Sequence, residues 1–182
     1  MHVRWTPSRI PGLLEGESLH FEDTRGSFTK AWTGSDRTES GSWDEVFYST
    51  SRLGVIRGFH VQASADAGSR LIFVTAGEAM DFVLDLRRGS PTFGDVECRL
   101  LTPGASSRLV PRGCAHAFES LSDATTMVYL QEGLHDPSCD IGVLWSSVGI
   151  ETTNPTPVVS ARDETLPPLS EFDTPFTWSG RR

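Results

Sequence analysis

The residues with the clearest chemical potential lie in Gly54-Val55-Ile56-Arg57-Gly58-Phe59-His60-Val61-Gln62. Small, apolar and polar side chains alternate there at a two-residue period, as they do along a strand. On that period Arg57 shares a face with Phe59, while Ile56, Gly58 and His60 share the other. A strand of this kind carries an imidazole to the inside of a β-barrel and an arginine to its rim. An isolated strand histidine is more often structural than catalytic. Its chemistry nevertheless suits proton transfer, because an ordinary pKa of about 6.5 leaves much of the ring neutral near pH 7. A second candidate stretch is Phe21-Glu22-Asp23-Thr24-Arg25-Gly26-Ser27-Phe28. Taken locally, it is a charged turn between two short strands with two core phenylalanines.

These side chains need a scaffold, and the rest of the chain supplies strands. Residues 45–51, 70–78, 80–87, 96–101, 107–110, 124–130 and 141–148 read as strands, with turn signals between them. Turns recurring at roughly 8 to 12 residues, without a long amphipathic helix, predict an all-β barrel or sandwich. Residues 1–20, broken by Pro7, Pro11 and Gly12, read as a leading segment, and 33–44 as a Gly/Ser/Thr-rich loop. Residues 151–182 are proline-rich and aperiodic, which suggests a tail packed on a single domain spanning 1–182, with a frayed end from Thr177 to Arg182. A solvated ladder is one reading of Asp81, Asp85 and Arg87, and the favoured one for Asp85.

The 182 residues suffice for one core, and 37% hydrophobic with 22% charged residues is ordinary for a globular protein. A net charge of −8 argues against nucleic-acid or anionic-membrane partners, so an anionic ligand must be held by local arginines. No apolar run approaches the roughly 20 residues of a membrane span, and the N-terminus lacks a signal-peptide core. Cys98, Cys114 and Cys139 form no CxxC pair, which fits a reducing cytoplasm.

Several segments, in order and spacing, resemble the dTDP-4-dehydrorhamnose 3,5-epimerase family of cupin-type enzymes. They are Arg57-Gly58-Phe59-His60, Asp85 to Gly94, Pro111 to Phe118 and Val159-Ser160-Ala161-Arg162-Asp163, preceded by the F-x-D-x-R-G-x-F pattern at Phe21 to Phe28. The resemblance implies a cupin jelly-roll barrel and a homodimer. It also implies cofactor-independent inversion of C3 and/or C5 of a nucleotide-linked 4-keto-6-deoxy sugar. It assigns His60 as base, Asp163 as its carboxylate partner, and Tyr129 as the acid on the opposite wall. Arg70 takes the place of a lysine near the C4 oxygen. Arg25 and Arg57, with His116, are implied at the diphosphate, and Phe21 and Phe28 at the base. Pro111-x-Gly113-x-x-His116 also resembles the second cupin motif. The first would need an H-x-H pair, and Gln62 follows His60, so the metal set is incomplete.

The chain departs from the family pattern at Lys30, Glu45, Phe47, Arg70 and His135. Lys30 replaces an acidic residue, Glu45 and Phe47 replace two amides, and His135 replaces a tyrosine before a proline. These changes leave open a single-site epimerase on a non-dTDP or heptose substrate. A nucleotide-sugar ketoisomerase and a non-catalytic sugar-nucleotide-binding cupin compete with that reading. The joint presence of His60, Tyr129 and Asp163 counts against the non-catalytic cupin.

Overall fold

A computed structural model describes residues 3–34 and 42–180. Thirteen strands form two sheets and a hairpin among these residues. The first sheet holds β1 (Arg4–Pro7), β2 (Leu14–Glu17), β10 (Ser106–Val110), β7 (Arg70–Ala76), β12 (Thr125–Gln131) and β5 (Glu45–Ser51), in that spatial order. The second holds β13 (Asp140–Gly142), β6 (Ile56–Gln62), β11 (Cys114–Ser120), β8 (Ala79–Asp85) and β9 (Val96–Leu101). Strands β3 (Leu19–Asp23) and β4 (Gly26–Lys30) pair only with each other. All strand pairs are antiparallel, so each sheet offers one face to the interior and one outward. The two faced sheets make the expected cupin jelly roll.

The leading segment is more regular than its prolines suggest. Pro11 and Gly12, the latter at φ +83°, turn the chain so that β1 and β2 extend the six-stranded sheet. Residues 141–148 are less regular: the strand ends at Gly142, and a 3-10 turn spans Trp145–Ser147. Part of the loop expected at 33–44 lies outside the described residues, as do 181–182. The start of the tail end expected to fray is instead tied down, with Thr177 bridging Arg88 and the Trp178 N–H donating to the Arg88 carbonyl at 2.9 Å.

Two apolar clusters follow from the alternation of side chains. The barrel interior packs Ile72, Val74, Val83, Leu101, Phe118, Met127 and Tyr129. The outer face of the five-stranded sheet buries Phe59, Phe82, Leu84, Ala115 and Ala117 beneath Val143, Trp145, Leu169, Phe172 and Phe176. The C-terminal residues thus cover this sheet, and β11 is buried along its whole length on both faces. One consequence is a fully buried Glu119. Its carboxylate accepts hydrogen bonds from the Thr153 and Asn154 N–H groups at 2.9 and 3.0 Å and from the Thr153 hydroxyl at 2.7 Å. Buried polar groups are stable when their acceptors are satisfied in this way.

The ladder expected at Asp81, Asp85 and Arg87 is not solvated. Asp81 and Asp85 are fully buried and Arg87 nearly so. Asp85 accepts from Arg87 Nε at 2.8 Å, Ser90 Oγ at 2.6 Å and Thr92 Oγ1 at 2.7 Å, and so organises the turn after β8. A carboxylate with that many donors is held by its own turn, which local alternation does not reveal.

Candidate active site

The site begins with an irregularity in β6. Opposite β11, His60 pairs with His116 and Arg57 with Phe118, so three residues of β6 span two of β11. This is a bulge, and the extra residue flips the alternation. Arg57 and His60 therefore lie on the same, inward face, not on opposite faces as a strict two-residue period implies. Gly58 makes this possible: at φ +113°, a Cβ there would come within 2.4 Å of the His116 carbonyl oxygen. Phe59 is turned to the outer cluster instead.

His60 Nε2 lies 2.8 Å from Asp163 Oδ1, and the Gly58 N–H donates to Asp163 Oδ2 at 3.2 Å. The aspartate comes from helix α1 (Ala161–Glu164), whose start is capped by Ser160 Oγ accepting from the Asp163 N–H at 3.1 Å. Backbone bonds dock this segment on β6, with Ile56 N–H on Val158 O and Val158 N–H on Gly54 O, both 2.9 Å. Arg162 adds bonds to the Asp140 carboxylate and carbonyl. Burial alone would raise the Asp163 carboxyl. The hydrogen bond and charge of His60, with the Gly58 N–H and the Ser160 hydroxyl, hold it below the usual carboxylate range. The carboxylate is almost sealed, whereas the His60 side chain is 27% exposed. A ring oriented from behind by a buried carboxylate and open in front has the arrangement of a general base.

Facing it across the barrel are β5, β12 and β7. Cross-strand rows place Glu45, Gln131 and Arg70 side by side, then Phe47, Tyr129 and Ile72. The Phe47 and Tyr129 rings stack with centroids 4.8 Å apart and planes at 14°. His116 meets the tyrosine edge-on at 5.8 Å. Burial pushes the Tyr129 hydroxyl up to about 12, against the pull of the neighbouring Ser49, Arg70 and Arg57. The phenol is therefore protonated near neutrality and can donate. Arg70 is held by Gln131 Oε1, 2.6 Å from Nη2 and 3.2 Å from Nε. Burial lowers its pKa while the nearby Tyr129 and Asp140 raise it, and an arginine so placed remains a cation. Arg57 Nε donates to Ser51 Oγ at 2.9 Å, joining β6 of one sheet to β5 of the other.

His116 has a different setting from the diphosphate contact expected of it. Its Nε2 is bonded to Asp81 Oδ2, and Asp81 Oδ1 accepts from Arg108 Nη1 at 2.8 Å. Arg108, fully buried, pairs with Glu15 at 2.9 Å. Burial lowers the His116 pKa more than Asp81 raises it, and Arg70 and Arg108 lower it further, so the ring is neutral. At the mouth, the His135 N–H donates to Glu45 Oε2 at 3.1 Å. The Gln62 amide links to His135 Nδ1 at 2.9 Å and accepts from the Asp136 N–H at 3.2 Å. Sequence reasoning does not single out Gln62, Gln131, Asp81 or Arg108 as site residues. A charged residue inside an apolar strand, as in Met80-Asp81-Phe82-Val83-Leu84, is the signal that could have found Asp81.

The hairpin residues are not gathered here. Arg25 sits at the β3–β4 turn and is paired with Asp23, Nη2 to Oδ2 at 2.5 Å. Phe21 and Phe28 are 46% and 60% exposed with centroids 6.5 Å apart, so they are not core phenylalanines. Lys30 lines a groove with Phe28, Trp32, Phe73 and Leu130 beside the six-stranded sheet.

The sequence profile of the dTDP-4-dehydrorhamnose 3,5-epimerase family matches residues 7–171. The chain is 31% identical over 170 residues to the dTDP-4-dehydrorhamnose 3,5-epimerase of Salmonella typhimurium, covering 89% of this chain and 93% of that one. It is 31% identical over 177 residues to the dTDP-4-dehydrorhamnose 3-epimerase of Streptomyces niveus, covering 93% and 85%. Its fold is similar, with a TM-score of 0.89 and 29% identity, to NovW, a 4-keto-6-deoxy sugar epimerase from the novobiocin gene cluster of Streptomyces spheroides. That similarity covers 94% of this chain and 89% of NovW. The chain belongs to the dTDP-4-dehydrorhamnose 3,5-epimerase family.

Proposed function

We propose that the protein epimerises a nucleotide-diphosphate-linked 4-keto-6-deoxy sugar at C3 and C5 through an enolate. The observation that carries this reading is the His60–Asp163 pair, 2.8 Å apart, on one wall of a barrel whose other wall carries Tyr129. The 4-keto group acidifies the hydrogens on both neighbouring carbons. His60 takes one of these protons, and the C–H electron pair moves to the C4 oxygen. Asp163 holds the ring and balances the imidazolium. Arg70 stabilises the enolate oxygen. Tyr129 gives its proton to the opposite face of the carbon; solvent then reprotonates the phenolate, and the imidazolium loses its proton to solvent. No cofactor enters, since side chains move both protons. Acid–base help of this kind is worth roughly 10²–10⁴-fold.

Arg57 serves the diphosphate from the same face as His60. Arg25, Phe21 and Phe28 project from the β3–β4 hairpin, which pairs with no other strand. That exposure supports a homodimer in which the hairpin serves the cleft of a second copy. Among the described residues no helix is long and apolar enough to cross a membrane, and the three cysteines are free. Both support work in the cytoplasm on a dissolved sugar nucleotide.

Proton NMR in deuterium oxide with dTDP-4-keto-6-deoxyglucose tests the proposal. The expected result is deuterium at C3 and C5 with a changed ring configuration. No exchange with the dTDP, GDP or CDP sugar would sink it. The similarity to a 3-epimerase from Streptomyces niveus favours a second reading, single-site inversion, which exchange at C3 alone would establish.

A further inference from the structure

The geometry points to Phe47 as a positioning residue for Tyr129, fixing the tyrosine ring from one side and shielding its hydroxyl from water. The inference rests on the epimerase reading above, in which Tyr129 returns the proton. Phe47 and Tyr129 are directly opposed on β5 and β12, and their rings lie nearly parallel. The edge of His116 closes a second side. A phenol gripped on two sides keeps one ring orientation and so one position for its hydroxyl oxygen, and directed proton return needs that.

Phe47 stands where the family pattern places an amide. An amide would bring its own donors and acceptors, and water with them. The phenyl ring offers neither, and it stands 39% exposed while the tyrosine stacked against it is only 7% exposed. The charges around the hydroxyl make such cover consequential. Arg70 and Arg57 favour the phenolate; Asp81 opposes it, and His116 beside it is neutral. Burial outweighs the two cations, so thinning the cover hands control to them. An early ionisation would remove the proton that has to be returned to carbon.

The chain contains only two tyrosines, Tyr48 and Tyr129. In a Tyr48→Phe background, tyrosinate ultraviolet absorbance therefore reports Tyr129 alone. Phe47→Asn is expected to lower the titration midpoint by at least about one unit, and Phe47→Trp to restore it. With the keto sugar, Phe47→Asn is expected to reduce the ratio of inversion to deuterium exchange roughly tenfold, while exchange through His60 continues. A midpoint unmoved by Phe47→Asn overturns the shielding inference whatever Tyr129 does in catalysis. Normal inversion by Tyr129→Phe instead overturns the acid role of the tyrosine, even where the midpoint has moved.

Discussion

Two histidine–aspartate pairs stand side by side in this barrel, and the two histidines are cross-strand neighbours. His60 with Asp163 has one buried partner and an open ring. His116 with Asp81 has none of that freedom, because the aspartate continues into Arg108 and Glu15 and the histidine side chain is 6% exposed. The same two residue types thus make a base in one place and a fixed element of the wall in the other. What separates them is access and the destination of the carboxylate's second oxygen. Asp163 Oδ2 takes a backbone N–H, which holds position without adding charge. Asp81 Oδ1 takes a guanidinium, which ties the pair into a buried ionic chain.

The widest gap between the pairs should come from removing each member of the open one. His60→Ala is expected to cost on the order of 10²–10⁴ in turnover, with Asp163→Asn lowering kcat in the same direction. The melting temperature should stay close to wild type in His60→Ala and fall modestly in Asp163→Asn. Scanning calorimetry alongside turnover checks this, and stability losses as large as those from breaking the sealed pair would erase the distinction.

The sealed pair should respond in the opposite sense. Arg108→Met strands the buried Asp81 without its cation and leaves Glu15 only Arg99, and breaking such a buried network costs about 3–5 kcal/mol. For a domain of this size that amounts to a fall of about 10 °C in melting temperature. If Arg108→Met melts like wild type, the chain of charges is not holding the wall.

The smallest effect is on acid stability, and it divides the pairs by pH. Burial alone would raise both aspartates; their histidine partners, with Arg108 for Asp81 and Gly58 for Asp163, hold them low. Their contribution is present above the unfolded value of about 3.9 and is lost as pH falls through the lower folded values. His116, lowered by burial, is neutral in the fold and must charge on unfolding. Its contribution is present above about 6.5 and is lost as pH falls below that. Melting curves against pH should therefore lose their upper acid step in His116→Gln and keep it in Asp163→Asn. The reverse pattern would exchange the two assignments.

Much of the fold is legible in the sequence, because alternating apolar residues between turn signals mark strands directly. The same alternation misplaces Arg57. A bulge at Gly58 adds one residue, and a single extra residue moves every side chain before it to the other face. Asp163 has no local sign at all: it sits 103 residues after His60 in a short helix of a tail that reads as irregular. Only the family resemblance points to that pairing. Asp81 and Arg108 are hidden differently, since each looks like a solvent-facing residue of an amphipathic strand until both faces of the sheet are known to be covered. The aromatic match at Phe21 and Phe28 is real as sequence, yet in the structure the two rings lie 6.5 Å apart on the hairpin and not in the barrel site.

The docking of residues 151–163 on β6, fastened by Glu119 through Thr153 and Asn154, gives the chain a built-in order of completion. During synthesis every strand of both sheets emerges before the helix that carries Asp163. A nascent barrel can close while His60 still lacks its carboxylate. Competence then waits for residues 151–163 to leave the ribosome and settle, so a product cut short before them would lack the poised base and leave the outer apolar face of the five-stranded sheet without Leu169, Phe172 and Phe176.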